Sequence, residues 1–416
     1  MSFSLIQAVF GEPCNPYRGL FPFTSDDCDY FFGRTDVLDK LQYYVEKQPV
    51  VVVSGASSIG KSSLVFAGLL PRLRQKGDWL IAHFRPKNQP FQELAGALLK
   101  AANKRAEQFE QNVRAKQLEK GEISLSEIVQ QGLEENSAKH FLLIVDQFEE
   151  LLDTSLSESE RQNSFINKLF ASSPTGETLP NFTLLITLRT EFRSQARSYK
   201  AFVDALKEPG REIGLMPMTE DELRDAIDKP AETQGVSYEA GLVNQILSDL
   251  GLAPGRLSVL EFTLDKLWQE KAESGIITLE HYNAIGGVNH AIARHADKFY
   301  QELVDNDKSR LARVLVQLVR PGEKGTPDSR QIANEGQIGK DNWDLVSKLA
   351  ANALVVTSDK HTDSDTKPKT VELVSDSLIH HWQRLQDWIN EKREFRAWQN
   401  RLRVDLEKWE KADAKD

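Results

Sequence analysis

Eight consecutive residues, Gly55, Ala56, Ser57, Ser58, Ile59, Gly60, Lys61 and Ser62, have types and spacing suited to holding a polyphosphate. They fit G-x-x-x-x-G-K-[ST]. Backbone N–H groups of such a loop can wrap phosphate oxygens, because glycine has no side chain to hold the backbone away. The Lys61 ammonium would reach the β- and γ-phosphates and the Ser62 hydroxyl would ligate Mg²⁺, with Ser63 completing the nucleotide-binding stretch. A plain glycine-rich turn is the competing reading. The apolar run before the loop and the helical pattern after it argue against that.

A second strand tip should supply an acid for the metal. FLLIVDQFEE places Asp146 directly after five apolar residues, where a carboxylate can hold a Mg²⁺-bound water. Capping of the next helix is the alternative role. Water activation needs a base, and the position after the acid is Gln147, so Glu149 and Glu150 remain, with Glu149 the choice between them and a pair of solvated helix carboxylates as the competing role. Arg189 ends FTLLITLR, where a guanidinium could touch a γ-phosphate and distinguish ATP from ADP; an ordinary strand-end ion pair is the competing role.

The elements that must position these residues follow from hydrophobic patterning. PVVVVSG (49–55), WLIAHF (79–84), HFLLIVDQF (140–148) and FTLLITLR (182–189) are short apolar runs separated by helical patterns. They predict an α/β fold with a parallel sheet and helices on both faces. The charged stretch 103–138 reads as a helical decoration at the sheet edge. Residues 1–48 read as a lead segment, extended to about residue 30, 49–218 as the sheet domain, and 219–305 as a helical domain opened by a Thr219 cap and lacking strands. Residues 306–375 combine two helices and a long-tipped hairpin, a winged-helix pattern. The tail, 376–416, reads as one amphipathic helix through Leu378, Trp382, Leu385, Ile389, Phe395, Trp398, Leu402, Leu406 and Trp409.

The 416 residues carry 52 Lys+Arg against 62 Asp+Glu, a net charge of −10, which argues against a uniformly basic nucleic-acid coat. Cys14 and Cys28 are the two cysteines, too few for a disulfide framework or a four-cysteine zinc site, and fit free thiols in the cytoplasm. No apolar run approaches the roughly 20 residues of a membrane span, and no signal peptide is evident.

Several further segments resemble one family: NPYRGL and FFGR in the lead, the 55–62 loop, DQFEEL, TLRTEFR, LVNQILSDLG, AIGGVNHAIARHA and VELVSDSLIHHW. Together they resemble the STAND NTPases (signal-transduction ATPases with numerous domains), in particular the bacterial novel STAND group of the AAA+/P-loop superfamily. The resemblance implies an ATP/ADP- and Mg²⁺-dependent switch in a defence or stress-response signalling protein. It also implies a P-loop core, a helical domain and a winged helix, with Gly33 and Arg34 beside the adenine and Arg189 as phosphate sensor. Homo-oligomers in the ATP state and effector or sensor partners, or further domains, are implied as well; the chain is expected to be a switch module, naturally short or cut from a longer protein. Two positions depart from the family pattern. Ser258 stands where a nucleotide-contacting proline is usual, and Ser375-Asp376 where a histidine is usual, which implies a weaker hold on ADP. Arg256 could contact a phosphate as in some AAA+ relatives, or simply open its helix.

A DNA-handling ATPase of the origin-recognition or transposition-targeting kind shares this plan, and a non-hydrolysing scaffold is a third reading. Charge separates the first two. The presumed recognition helix DNWDLVSKLAANA has two Asp and one Lys, and the wing tip DKHTDSDTKPK has three of each, so nucleic acid is disfavoured as a partner.

Overall fold

The computed structural model describes residues 13–87, 89–102, 108–152, 159–171, 181–251, 256–271, 275–322, 327–357, 370–393 and 398. Valines 50 to 53 begin strand β1, Val50–Gly55, in which every residue is buried. β-Branched residues fit a pleated strand covered on both faces. Strands β2 (Trp79–Phe84), β3 (His140–Val145), β4 (Phe182–Arg189) and β5 (Glu212–Gly214) join it in one sheet ordered β2-β3-β4-β1-β5. Every pairing is parallel. β4, also buried throughout, lies between β1 and β3. Because the strands run parallel, the residues after β1, β3 and β4 emerge at one edge of the sheet. Gly55 pairs with Arg189 across the β1–β4 ladder.

The helix behind the phosphate loop widens over Leu64–Leu69 into a π-helical stretch, in which the Leu70 N–H donates five residues back to the Val65 carbonyl. Pro71, next in line, has no N–H to continue an α-helical ladder. Helices Gln108–Lys120 and Leu125–Asn136 fall in the stretch expected as decoration; the second opens with a Ser124–Glu127 capping box. They do more than decorate. Ala115, Leu118, Leu125 and Val129 are buried in the same core as Phe91, Phe141, Phe148 and Phe165. Fully burying each of the leucines and the valine contributes roughly 1.5–3 kcal/mol.

Contacts along the chain group the described residues of 23–28 and 34–217 in this sheet unit, and those of 13–22, 29–33 and 218–398 in a second unit. The helix Thr35–Lys47, expected within the lead segment, therefore belongs to the sheet unit, with Leu38, Leu41 and Val45 buried.

The second unit opens with helix Glu220–Thr233, capped by a reciprocal Thr219–Glu222 box. Helices Leu242–Leu250, Arg256–Glu270, Leu279–Ile285 and Gly287–Glu302 follow. A two-residue parallel ladder, Ser237–Tyr238 with Ile276–Ile277, is present where the pattern shows no strand; two residues are too few for a periodicity signal. Helices Asp305–Gln317, Glu335–Ile338 and Trp343–Ala351 lead into the antiparallel pair Val355–Thr357 and Thr370–Leu373, with Ala333–Asn334 on its other side. That is the element order of a winged helix; its tip, 358–369, lies outside the described residues.

The tail corrects the single-helix expectation. Ser377–His381 is one short helix, Trp382 is extended (φ −96°, ψ 98°), and a second helix runs over 383–393. The break turns the Trp382 indole into the core, where its N–H donates to Asp297 at 2.9 Å. Trp382, Leu385 and Ile389 share that core with Ile292, Leu315 and Leu345. Phe395, Leu402, Leu406 and Trp409 lie outside the described residues.

Candidate functional site

β1 ends at Gly55, where a Cβ would meet the Leu215 carbonyl oxygen at 3.2 Å and an Ile59 methyl at 3.0 Å. Two left-handed residues, Ser58 (φ 55°) and Gly60 (φ 94°), then fold the loop back, and the helix starts at Lys61. Its first N–H groups have no carbonyls of their own helix to bond, which suits them to an anion. Buried Lys61 donates from Nζ to the Gly55 carbonyl at 2.9 Å and the Ala56 carbonyl at 2.8 Å. Burial lowers its pKa, and the nearby Glu149 carboxylate opposes that shift. Ser63 faces elsewhere, its hydroxyl accepting the Phe23 N–H at 3.2 Å.

At the tip of β3, Asp146 accepts hydrogen bonds from the Ser62 hydroxyl at 2.8 and 3.1 Å and from the Thr187 hydroxyl at 2.7 Å. Thr187 in turn accepts the Gln147 N–H at 2.8 Å. Gln147 is left-handed (φ 59°), an uncommon backbone for a residue with a side chain, so this bond holds a strained turn. Two hard oxygen donors from different elements, one anionic and buried, fit Mg²⁺, which takes one or two protein ligands and completes its shell with water and phosphate oxygens. Ser62 and Asp146 would hold it. Among the described residues no group of three or more His, Cys, Asp or Glu could form an all-protein metal cage. Sequence reasoning missed Thr187. The available signal was a buried hydroxyl, one of two with Thr183 among the apolar residues of β4, where a polar atom needs a partner.

The two glutamates part company here. Glu150 accepts from Arg85 Nε at 3.0 Å and the Lys87 N–H at 2.9 Å, and Arg85 also contacts it through Nη2. It is a structural tie to the end of β2. Glu149 is buried and accepts from the Arg189 N–H at 3.2 Å and from Arg189 Nε at 3.1 Å. Burial pushes its pKa up, while Arg189 and then Lys61 pull it back. The geometry thus brings together Gly55–Ser62, Asp146, Glu149 and Arg189, and adds Thr187.

The remaining sequence candidates stand as follows. Buried Arg34 reaches the Ile59 carbonyl of the loop from Nη2 at 3.4 Å. Gly33 (φ 81°) lies so close to the Glu222 carbonyl oxygen that a Cβ would meet it at 2.2 Å. Arg256 donates to the carbonyls of Gly251, at 3.0 Å, and Met218, which stitches the start of its helix. Ser258 sits half-buried on that helix. The buried Ser375 hydroxyl accepts the Ser377 N–H at 3.1 Å, and Asp376 accepts the Arg330 N–H at 2.8 Å.

The family model described as Novel STAND NTPase 1 matches residues 16–416. Solved structures with a similar course include Aeropyrum pernix ORC1 in complex with DNA, at 15% identity, covering 87% of this chain and 93% of that one with a TM-score of 0.43. Another is Aeropyrum pernix ORC2 in ADPNP–ADP complexes, at 14% identity, 86% and 92% coverage and a TM-score of 0.46. Domain III of the Thermotoga maritima replication initiation protein DnaA matches at 14% identity over 62% of this chain and 93% of that one, TM-score 0.40. Among curated proteins none matches the sequence at a significant level.

Proposed function

The chain belongs to the novel STAND NTPase family over residues 16–416, and from that premise we propose that it is an ATP/ADP-dependent molecular switch. In this reading ATP binding drives a conformational change and homo-oligomerisation, and slow hydrolysis resets the protein. One observation carries it: Lys61, the Ser62–Asp146–Thr187 network and the Glu149–Arg189 pair gather at the carboxyl ends of β1, β3 and β4. Lys61 and the loop N–H groups would bind the phosphates. Ser62 and Asp146 would hold Mg²⁺, which neutralises charge on the β- and γ-oxygens. Glu149 would orient water and take its proton; Glu150, tied to Arg85, is the weaker candidate.

A DNA-handling role would need free cations on the helix Trp343–Ala351 and its neighbours. Lys348 is paired with Asp307 at 2.7 Å, and Arg310 with Asp307 at 2.9 Å and Asp344 at 2.5 Å, which supports the switch over that alternative. Among the described residues no helix is long and apolar enough to cross a membrane. Ser375 spends its hydroxyl on Ser377, and this supports a weaker hold on ADP than a histidine would give. The test is binding of labelled ATP with Mg²⁺. Lys61→Ala should weaken it about tenfold to a hundredfold, the worth of hydrogen bonds to a charged group. Unchanged binding would overturn the site assignment.

A further inference from the structure

Glu149 and Arg189 form a buried pair whose two hydrogen bonds differ in kind. Glu149 Oε2 accepts from the Arg189 backbone N–H, and Oε1 accepts from the side-chain Nε. The side chains are only 8% and 10% exposed, so little water competes for either. Arg189 leaves β4 opposite Gly55, the first residue of the phosphate loop, and Lys61 lies near enough for its charge to act on Glu149. Arg189 Nη1 also lies 3.9 Å from Glu191, and an anion on that loop would add a further acceptor near the same guanidinium.

We propose that Glu149 and the terminal phosphate of ATP compete for Arg189, so that a γ-phosphate draws the guanidinium away and unlocks the carboxylate. This deepens the switch reading and rests on it. The geometry lets the exchange happen without losing Glu149's position. When the guanidinium turns, the backbone N–H of Arg189 still holds Oε2, while Oε1 loses the Nε donor and can accept a hydrogen bond from water. ADP brings no γ-phosphate and leaves the pair closed. The base is then withheld until the triphosphate is bound, and breaking the pair subtracts from ATP affinity. By linkage, what weakens the pair must strengthen ATP binding by the same factor.

That reciprocity gives a test at equilibrium, without turnover. Affinities for a Mg²⁺-loaded non-hydrolysable ATP analogue and for ADP would be measured on wild type, Glu149→Gln, Arg189→Gln and the double variant. In the wild-type background Glu149→Gln should tighten the analogue about tenfold, with ADP changing less than about twofold. In the Arg189→Gln background the same substitution should give almost no gain. An equal gain in both backgrounds would mean that the carboxylate simply repels phosphate, and the competition would be refuted; no gain in either would refute it too. If Arg189→Gln lacks the wild-type melting transition, Arg189→Met, which keeps an apolar stem but removes the cation and its donors, serves as the background with the same two outcomes. Wild type failing to bind either nucleotide would instead overturn the switch reading itself.

Discussion

At the carboxyl ends of β1, β3 and β4, polar side chains bond to residues far along the chain: Ser62 and Thr187 to Asp146, and Arg189 to Glu149. In the unit that contains Met218 onward, the polar residues singled out from sequence serve its own framework. Ser375 accepts the N–H of Ser377, the first residue of the next helix, and Arg256 donates to the carbonyls of Gly251 and Met218. Glu261, on the same helix as Arg256, is buried with Oε2 unbonded. Side chains gathered from several strand tips can exchange partners when a ligand arrives. Side chains spent on their own backbone are first of all structural.

The largest effect expected on that contrast comes from Thr187. Thr187→Val keeps the shape but leaves the Gln147 N–H without its acceptor and removes one of the two hydroxyls that donate to Asp146, a cost of about 1–3 kcal/mol. Denaturant unfolding should register it, and a Mg²⁺ titration of ATP binding should shift to higher metal concentration. If stability falls while the Mg²⁺ titration stays put, Thr187 belongs with the structural residues. Arg256→Ala should show the opposite split: about 1–2 kcal/mol less stable, with ADP affinity changed less than about twofold. Lost ADP affinity at intact stability would instead assign Arg256 to the phosphates.

A third effect, a pH dependence of stability, belongs to Glu261. Burial pushes its pKa up to about 8, despite a hydrogen bond from the Arg18 backbone, and Asp265 adds to the rise. Tyr17 and Tyr238 share this buried neighbourhood, and neither offers a positive charge. Folded protein thus holds a proton that unfolded protein, with an ordinary carboxyl near 4.3, has released. The stability that the neutral carboxyl contributes is fully present below the unfolded pKa and is lost progressively as pH rises from about 4.3 to about 8. Glu261→Gln should flatten that slope in unfolding midpoints taken across this range. An unchanged slope would rule Glu261 out as its source.

The sheet and its phosphate loop were legible because a strand buried on both faces writes an unbroken apolar run, and the loop's glycines have few substitutes. Asp146 and Arg189 were legible as the first polar residues after such runs. Pairings were not. Whether Glu149 or Glu150 faces Arg189 depends on the left-handed turn at Gln147, which no residue pattern announces. The same holds for Trp382: the apolar spacing of the tail continues through it, but the ring's burial requires an extended backbone there. Ser258 and Ser375 could be singled out only through a family pattern, and their surroundings here give Ser375 a local partner.

The most direct test of the switch is the mass of the protein in solution, measured by light scattering with saturating ADP and with a saturating Mg²⁺-loaded non-hydrolysable ATP analogue. The account predicts a smaller species with ADP and a larger, discrete assembly with the analogue, lost on Lys61→Ala. The same mass with both nucleotides, each demonstrably bound, would contradict it.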